Sequence, residues 1–183
     1  MRPAPISIQA VRLMQLAAQG LLEPPPQRPS QKQDVLAAIR RMGVLQIDTI
    51  SVVARSPYMV LFSRIGDYTE SWLDELLAGG DLFEYWAHAA CFVPIEDYPI
   101  YRRMMLDHLR GWKEGRQWLA ERAALVAMIL NRIRAEGPLR SADFERKDGK
   151  GNGWWDWKEE KIALEQLFDA GILSIARREK FQR

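Results

Sequence analysis

The sequence predicts a mainly α protein with small β-hairpins, an α+β chain, and three observations carry that expectation. Apolar residues recur at helical spacing in stretches that stop on glycine, as in "DVLAAIRRM" before Gly43 and "LAERAALVAMILNRIRAEGP" at Gly137-Pro138. "DLFEYWAHAACFVPI" alternates instead and is rich in aromatic and branched residues, the pattern of a strand or hairpin. The last twelve residues, "ILSIARREKFQR", begin as a strand and turn back at "RREK". Three helices followed by a two-stranded hairpin is the order of a winged helix, and both halves of the chain can be read that way. The expected architecture is therefore two winged-helix units in tandem, 1–112 and 118–183, joined near residues 112–118.

In chain order, Ser7 is placed to cap a first helix carrying Ile8, Val11, Met14 and Ala18, which stops at Gly20. "EPPPQRP" is a stiff extended connection, because consecutive prolines cannot continue a helix. "SQKQ", Ser30 to Gln33, has capping-box form and opens the second helix, closed by Gly43. In "VLQIDTISVVARS", Leu45 and Ile47 alternate with Gln46 and Asp48, so a short extended segment is expected. "SVVARSPYMVLFSRIG" is helical in parts, with Pro57 opening or bending it, and Thr69 can cap "ESWLDELLAGG". In the hairpin-like stretch, Glu84, Trp86 and His88 would share one face, and Pro94 marks its end. "DYPIYRRMMLDHLRGW" is a further helix with Pro99 in its first turn. The second unit then has the long helix stopped at Gly137-Pro138, a short one capped by Ser141 in "LRSADFERK", and a flexible "DGKGNG". A third helix, "WWDWKEEKIALEQLFDAG", stops at Gly171 and leads into the wing. The chain ends where that wing's returning strand should run, which reads as a truncation.

Composition narrows the class of function. A chain of 183 residues, 48% hydrophobic, is long enough for one domain or two small ones. The single cysteine, Cys91, excludes an intramolecular disulfide and suits a reducing cytoplasm. "MRPAPISIQA" lacks the apolar core of a signal peptide. The longest clean apolar run, Ala123 to Leu130, is far short of a membrane span. A soluble intracellular protein without a membrane partner is expected. The net charge of +2 is unevenly spread: +3 over residues 1–54, −6 over 55–101 and +5 over 102–183. Two basic segments flank an acidic one, which leaves room for a local nucleic-acid footprint and is equally the pattern of solvated helix faces.

Several chemistries find no support. His88 and Cys91 form half of a zinc site with no second half, so no metal is expected. No Ser, His and acidic group declare themselves as a triad. "DGKGNG" lacks the spacing of a phosphate loop and the glutamate of a calcium loop. Lys158, Lys161, Arg177, Arg178, Lys180 and Arg183, on the third helix or wing of the second unit, suit phosphate contacts. Interleaved Glu159, Glu160, Glu165 and Glu179 make ordinary surface charge the competing explanation. Trp154, Trp155 and Trp157 could stack on bases or anchor a helix in the core.

Gln46 and Asp48 are the polar pair that an apolar run admits. In an extended chain they point the same way, roughly 7 Å apart. One reading is local: the carboxylate caps the following helix and the amide bonds to neighbouring backbone. The other is chemical. Cleavage of an N-glycosidic bond passes through an oxocarbenium-like sugar. A carboxylate can stabilise that cation and take a proton from an attacking water that an amide orients. A leaving base that already carries positive charge, such as an alkylated purine, needs no general acid.

The segments "VLQIDTISVVARSPYMVLFSRIG", "LFEYWAHAACFVPIEDYPIYRRMM" and "KIALEQLFDAGILSIARREKFQR" together resemble the AlkZ/YcaQ family of bacterial winged-helix DNA glycosylases. The resemblance runs from about Ile6 to the end of the chain. It implies tandem winged helices followed by a further winged helix and a β-barrel, of which these residues would be the N-terminal portion, with an incomplete DNA cradle. Gln46-Ile47-Asp48 matches the Gln–apolar–Asp branch, associated with N7-alkylated purines and with unhooking interstrand crosslinks. By this resemblance Gln46 would position the attacking water, Asp48 would activate it, and Trp86 and His88 would line the site, His88 by lining or hydrogen-bonding; a buried histidine satisfied by backbone is the competing reading of His88. No lysine accompanies the pair, so a monofunctional glycosylase without cofactor is implied, a monomer whose partner is double-stranded DNA. It would be cytoplasmic and act on the nucleoid. Two other classes remain open on the residues alone. One is a dimeric winged-helix transcription regulator in which Gln46 and Asp48 serve only structure. The other is a winged helix whose acidic face binds protein.

Overall fold

Ser7 begins the first helix as its sequence predicts: its hydroxyl accepts from the Ala10 amide at 3.2 Å. The computed structural model describes residues 5–48, 50–111, 113–144, 158–179 and 182–183. Helix α1 spans Ile8–Ala18 and is held at its end by arginines. Arg41 donates to Ala17 O at 2.7 Å, and Arg64 donates to Gln19 O at 2.8 Å. Two compact units divide the chain, Met1–Tyr98 and Pro99–Arg183.

The first unit continues with α2 (Lys32–Met42), β1 (Leu45–Gln46), α3 (Ser56–Ile65), α4 (Ser71–Gly79), β2 (Leu82–Trp86) and β3 (Ala90–Pro94). Helix, strand, two helices and hairpin is the winged-helix order. The capping box of α2 is one residue later than "SQKQ" suggests. Gln31 is the N-cap, and the Asp34 carboxylate accepts from its amide at 2.8 Å while pairing with Arg28. Ser30 is drawn away, because its hydroxyl donates to Ile65 O at 2.6 Å. Glu70, rather than Thr69, stands at the N-cap of α4 and makes no side-chain cap bond. The three strands form one antiparallel sheet in the order β1-β3-β2. Val35, Leu36 and Ile39 of α2, Leu61 and Ile65 of α3, and Leu73, Leu76 and Leu77 of α4 are buried. Leu45, Leu82, Phe92 and Val93 of the strands are buried too. In a winged helix the third helix commonly reads DNA. Here it is α4, "SWLDELLAG", with Asp74 and Glu75 and no basic residue.

The second unit holds α5 (Tyr98–Gly111, begun by the last residue of the first unit), α6 (Lys113–Glu121), α7 (Ala123–Glu136) and α8 (Glu159–Asp169). The single long helix read from Leu119 to Glu136 is two, parted at Arg122. No breaker marks the place. The interruption sets the Arg122 guanidinium over the Trp118 ring at 4.5 Å and lets it donate to Glu159 of α8 at 3.0 Å. The short helix expected after Ser141 is a single 3-10 turn, Ser141–Asp143, capped through Asp143 accepting from Arg140 N. Ile129, Phe144, Ala163 and Leu167 form the buried core.

The second wing is where expectation and structure part. Among the described residues, Leu173 to Arg178 pair with no strand, and the turn-back is a reciprocal backbone pair between Glu179 and Gln182. Without a partner ladder an apolar alternating segment has no sheet to join. "DGKGNG" and the three tryptophans at 154, 155 and 157 lie outside the described residues. At the end of α8, Gly171 adopts φ +64°, and Arg102 donates to its carbonyl at 3.2 Å. A side chain at Gly171 would collide with Met105 Sδ.

Candidate active site

Gly43 ends α2 at φ +82°, and the chain leaves it directly into β1. Leu45 then turns into the core, 2% exposed, and Gln46 turns out. Opposite them on β3 stand Phe92 and Cys91. The ladder runs one residue beyond the strand, since Ile47 N donates to Ala90 O at 2.8 Å. The extended reading of Leu45 to Ile47 is therefore what the backbone adopts, at the free edge of the sheet.

Asp48 follows, half-buried, and its Oδ1 accepts from the Ile50 amide at 2.9 Å. That is a turn stabilised by its own side chain. It does not cap the next helix, whose N-cap is Arg55. Beyond it a short loop closes on itself through a Ser51–Arg55 bridge and presents Ile50, Val52 and Val53 at 73%, 92% and 89% exposure. An apolar rim thus flanks the carboxylate.

The hairpin brings the third member. β2 and β3 pair from Leu82↔Pro94 to Trp86↔Ala90, leaving Ala87, His88 and Ala89 as the turn, where Ala87 N donates to Ala89 O at 2.9 Å. His88 is thus not on a strand face with Glu84 and Trp86, as the alternation suggests; it occupies the tip. Its Nε2 lies 2.9 Å from Gln46 Oε1, a side-chain bond between residues 42 apart in sequence. Gln46 is therefore bonded to a histidine on the hairpin, a partner that the local reading does not include. Trp86 ends β2, partly exposed, while Glu84 is buried at 2% exposure. Cys91 lies buried under the turn. Burial pushes its thiol up, the Ala89 and Ala87 backbone oppose this, and the Glu84 charge adds to it. Such a thiol is not a nucleophile.

The other candidate residues sit in the second unit. Lys158 donates to Phe144 O at 2.7 Å. Arg177 donates to Glu179 at 3.2 Å. Arg183 donates to Glu165 at 2.8 Å and lies over the Phe168 ring. Arg178 is buried, and Lys180 lies outside the described residues. Lys161, Arg177 and Arg183 line a cavity of about 250 Å³ beside Leu164, Phe168 and Ile175. Among the described residues no group of three or more His, Cys, Asp or Glu side chains could hold a metal ion. Among the described residues no helix is long and apolar enough to cross a membrane.

An amide, a carboxylate and an imidazole thus lie at or next to the end of the edge strand of a winged-helix scaffold. The family model of AlkZ-like DNA glycosylases matches residues 39–183, from the last turns of α2 to the final residue, and the chain belongs to that family. No solved structure matches it. The activity of the family is that of a DNA glycosylase, a DNA-binding hydrolase of DNA repair.

Proposed function

We propose that this chain hydrolyses the N-glycosidic bond of N7-alkylated purines in double-stranded DNA, with Asp48 activating the water and Gln46 positioning it. The water oxygen attacks C1′ as the bond from C1′ to the base nitrogen breaks. The bonding pair leaves with the base and neutralises its positive charge, and the proton of the water passes to Asp48. The observation that carries this reading is the placement of the pair. Gln46 is exposed at the end of an edge strand, and Asp48 is held by one carboxylate oxygen on the Ile50 amide. A bound amide donor and a fixed carboxylate cost little reorganisation as charge develops on the sugar.

The open edge also suits a bulky adduct, so unhooking of interstrand crosslinks is part of the proposal. Segments 44–56 and 82–94 contain no lysine, which favours a monofunctional enzyme with no Schiff-base step. Trp86 and His88 would line the approach of the lesion. Phosphate contacts by a monomer are assigned to Lys158, Lys161, Arg177, Lys180 and Arg183, while Arg178, expected with them, is buried. Those at Lys158, Arg177 and Arg183 would exchange a partner within the chain for a phosphate.

The test is single-turnover release of N7-methylguanine from a defined duplex, scored as alkali-labile sites. Asp48→Asn should lower the rate by about 10²–10⁴-fold at unchanged DNA affinity. Equal rates for parent and variant would remove Asp48 from the chemistry. Retained DNA binding with no release by the parent would defeat the proposal for this lesion.

A further inference from the structure

Resting on that reading, we infer that His88 is the positioning residue of the site: its Nε2–H fixes which end of the Gln46 amide faces the water. A carboxamide has two nearly isosteric ends with opposite hydrogen-bonding character, oxygen accepting and nitrogen donating. An exposed glutamine samples both. At Gln46 the choice matters chemically. Besides the proton given to Asp48 and the lone pair aimed at C1′, the water has one further O–H and one further lone pair. The amide nitrogen would hold it by that lone pair, whereas the amide oxygen would take the second O–H and set the water in a different orientation.

The structure places the oxygen end of the Gln46 amide against the ring. Oε1 of Gln46 can only accept, so the His88 Nε2 at 2.9 Å carries the proton and donates it. With Oε1 engaged, the Nε2H₂ end is the one turned to the site. Both the neutral Nε2–H tautomer and the imidazolium can make this bond; the Nδ1–H tautomer cannot.

The backbone is arranged to deliver the ring there. The Gln46↔Cys91 register and the Ile47–Ala90 hydrogen bond fix β1 against the hairpin. The three-residue turn from Ala87 to Ala89, closed by its own hydrogen bond, then sets His88 beside the end of the strand. Both side chains are exposed. A bond between two exposed side chains returns little net stability once their ordering is counted. Its consequence is orientation, and a wing that reaches back to the catalytic strand gives the hairpin tip a task within the site.

Two measurements test the inference, one of them independent of activity. Long-range proton–nitrogen correlation on the ¹⁵N-labelled chain, with His88 distinguished from His108 by a His88→Gln spectrum, should show a protonated Nε2. A protonated Nδ1 with bare Nε2 would overturn the inference even if no substrate were turned over. In single-turnover release, His88→Ala should lower the maximal rate on the order of tenfold at unchanged duplex affinity. His88→Gln, whose amide nitrogen reaches where Nε2 stood, should restore most of the loss. His88→Asn, reaching only as far as Nδ1, should not. In a Gln46→Ala background, His88→Ala should cost nothing further. Full additivity, or His88→Gln as slow as His88→Ala, would overturn the inference. If the parent releases no base at all, the proposed function fails, and the tautomer decides the hydrogen bond by itself.

Discussion

The end of β1 and the end of α8 both gather polar side chains, and they hold them in opposite ways. Around β1 the backbone pairs with β3 on one side, and the Gln46 and His88 side chains bond to each other on an exposed tip. Around α8 the cations are committed to their own unit: Arg183 to Glu165, Arg177 to Glu179, Lys158 to the Phe144 carbonyl. The first unit is acidic over residues 55–101 and carries the candidate chemistry; the second is basic over 102–183 and spends much of its charge on folding. Charge counted along a sequence overstates what a surface offers, whereas a polar group that the fold does not need points to work done elsewhere.

The comparison would break first at Leu45. Truncation to Ala removes the one side chain that pins β1 to the core and should cost about 2–5 kcal/mol. Base release should fall with it even where the protein remains folded, because Gln46 loses its place; chemical denaturation alongside single-turnover rates checks both. A rate that survives would mean that the loop after Asp48, and not the strand, positions the pair. On the other side, Gly171→Ala should destabilise the second unit by about 1–3 kcal/mol, since the new methyl meets Met105 at a positive φ. Thermal unfolding should detect this, and the His88 tautomer should not change.

Smaller effects sharpen the contrast. The Arg28 hydrogen bond, opposed by burial and helped by the Gln31 amide, holds the Asp34 carboxyl below its ordinary value of 3.8. A carboxyl depressed in the folded state contributes stability above that ordinary value and loses it as pH falls through the lower folded one. Asp34→Asn should therefore cost about 1 kcal/mol at neutral pH, through the cap of α2. It should also flatten the acid limb of unfolding below pH 3.8, followed by far-ultraviolet circular dichroism. Arg183→Ala should do least, below about 1 kcal/mol in stability, as a half-exposed ion pair. If Arg183 contacts phosphate, that variant should lower the salt dependence of DNA binding by about one unit of slope.

Much of the first unit was legible because its signals are local. Gly43 and Gly66 close α2 and α3 as glycines do, Pro57 opens α3, and the alternation from Leu82 to Pro94 becomes β2 and β3. The Gln46 and Asp48 pattern was legible too, as alternation against Leu45 and Ile47. What escaped depends on partners distant in sequence. Ser30 forsakes its capping box for the Ile65 carbonyl, and the α6–α7 break serves Arg122 and Glu159, on different helices. His88 could be placed near the site but not on Gln46, because alternation assigns a face and says nothing about where a hairpin turns. The strand read at the start of "ILSIARREKFQR" has strand-like composition, but among the described residues it pairs with no other strand, which composition cannot reveal.

The lone buried Cys91 has a practical consequence for watching the hairpin move. A thiol with no exposed surface, and whose thiolate is disfavoured, gives a maleimide or spin-label reagent nothing to attack. One introduced cysteine would then be the single labelled position on the chain. With Ala87→Cys at the exposed turn, a reporter would sit one residue from His88, without first engineering away any native thiol.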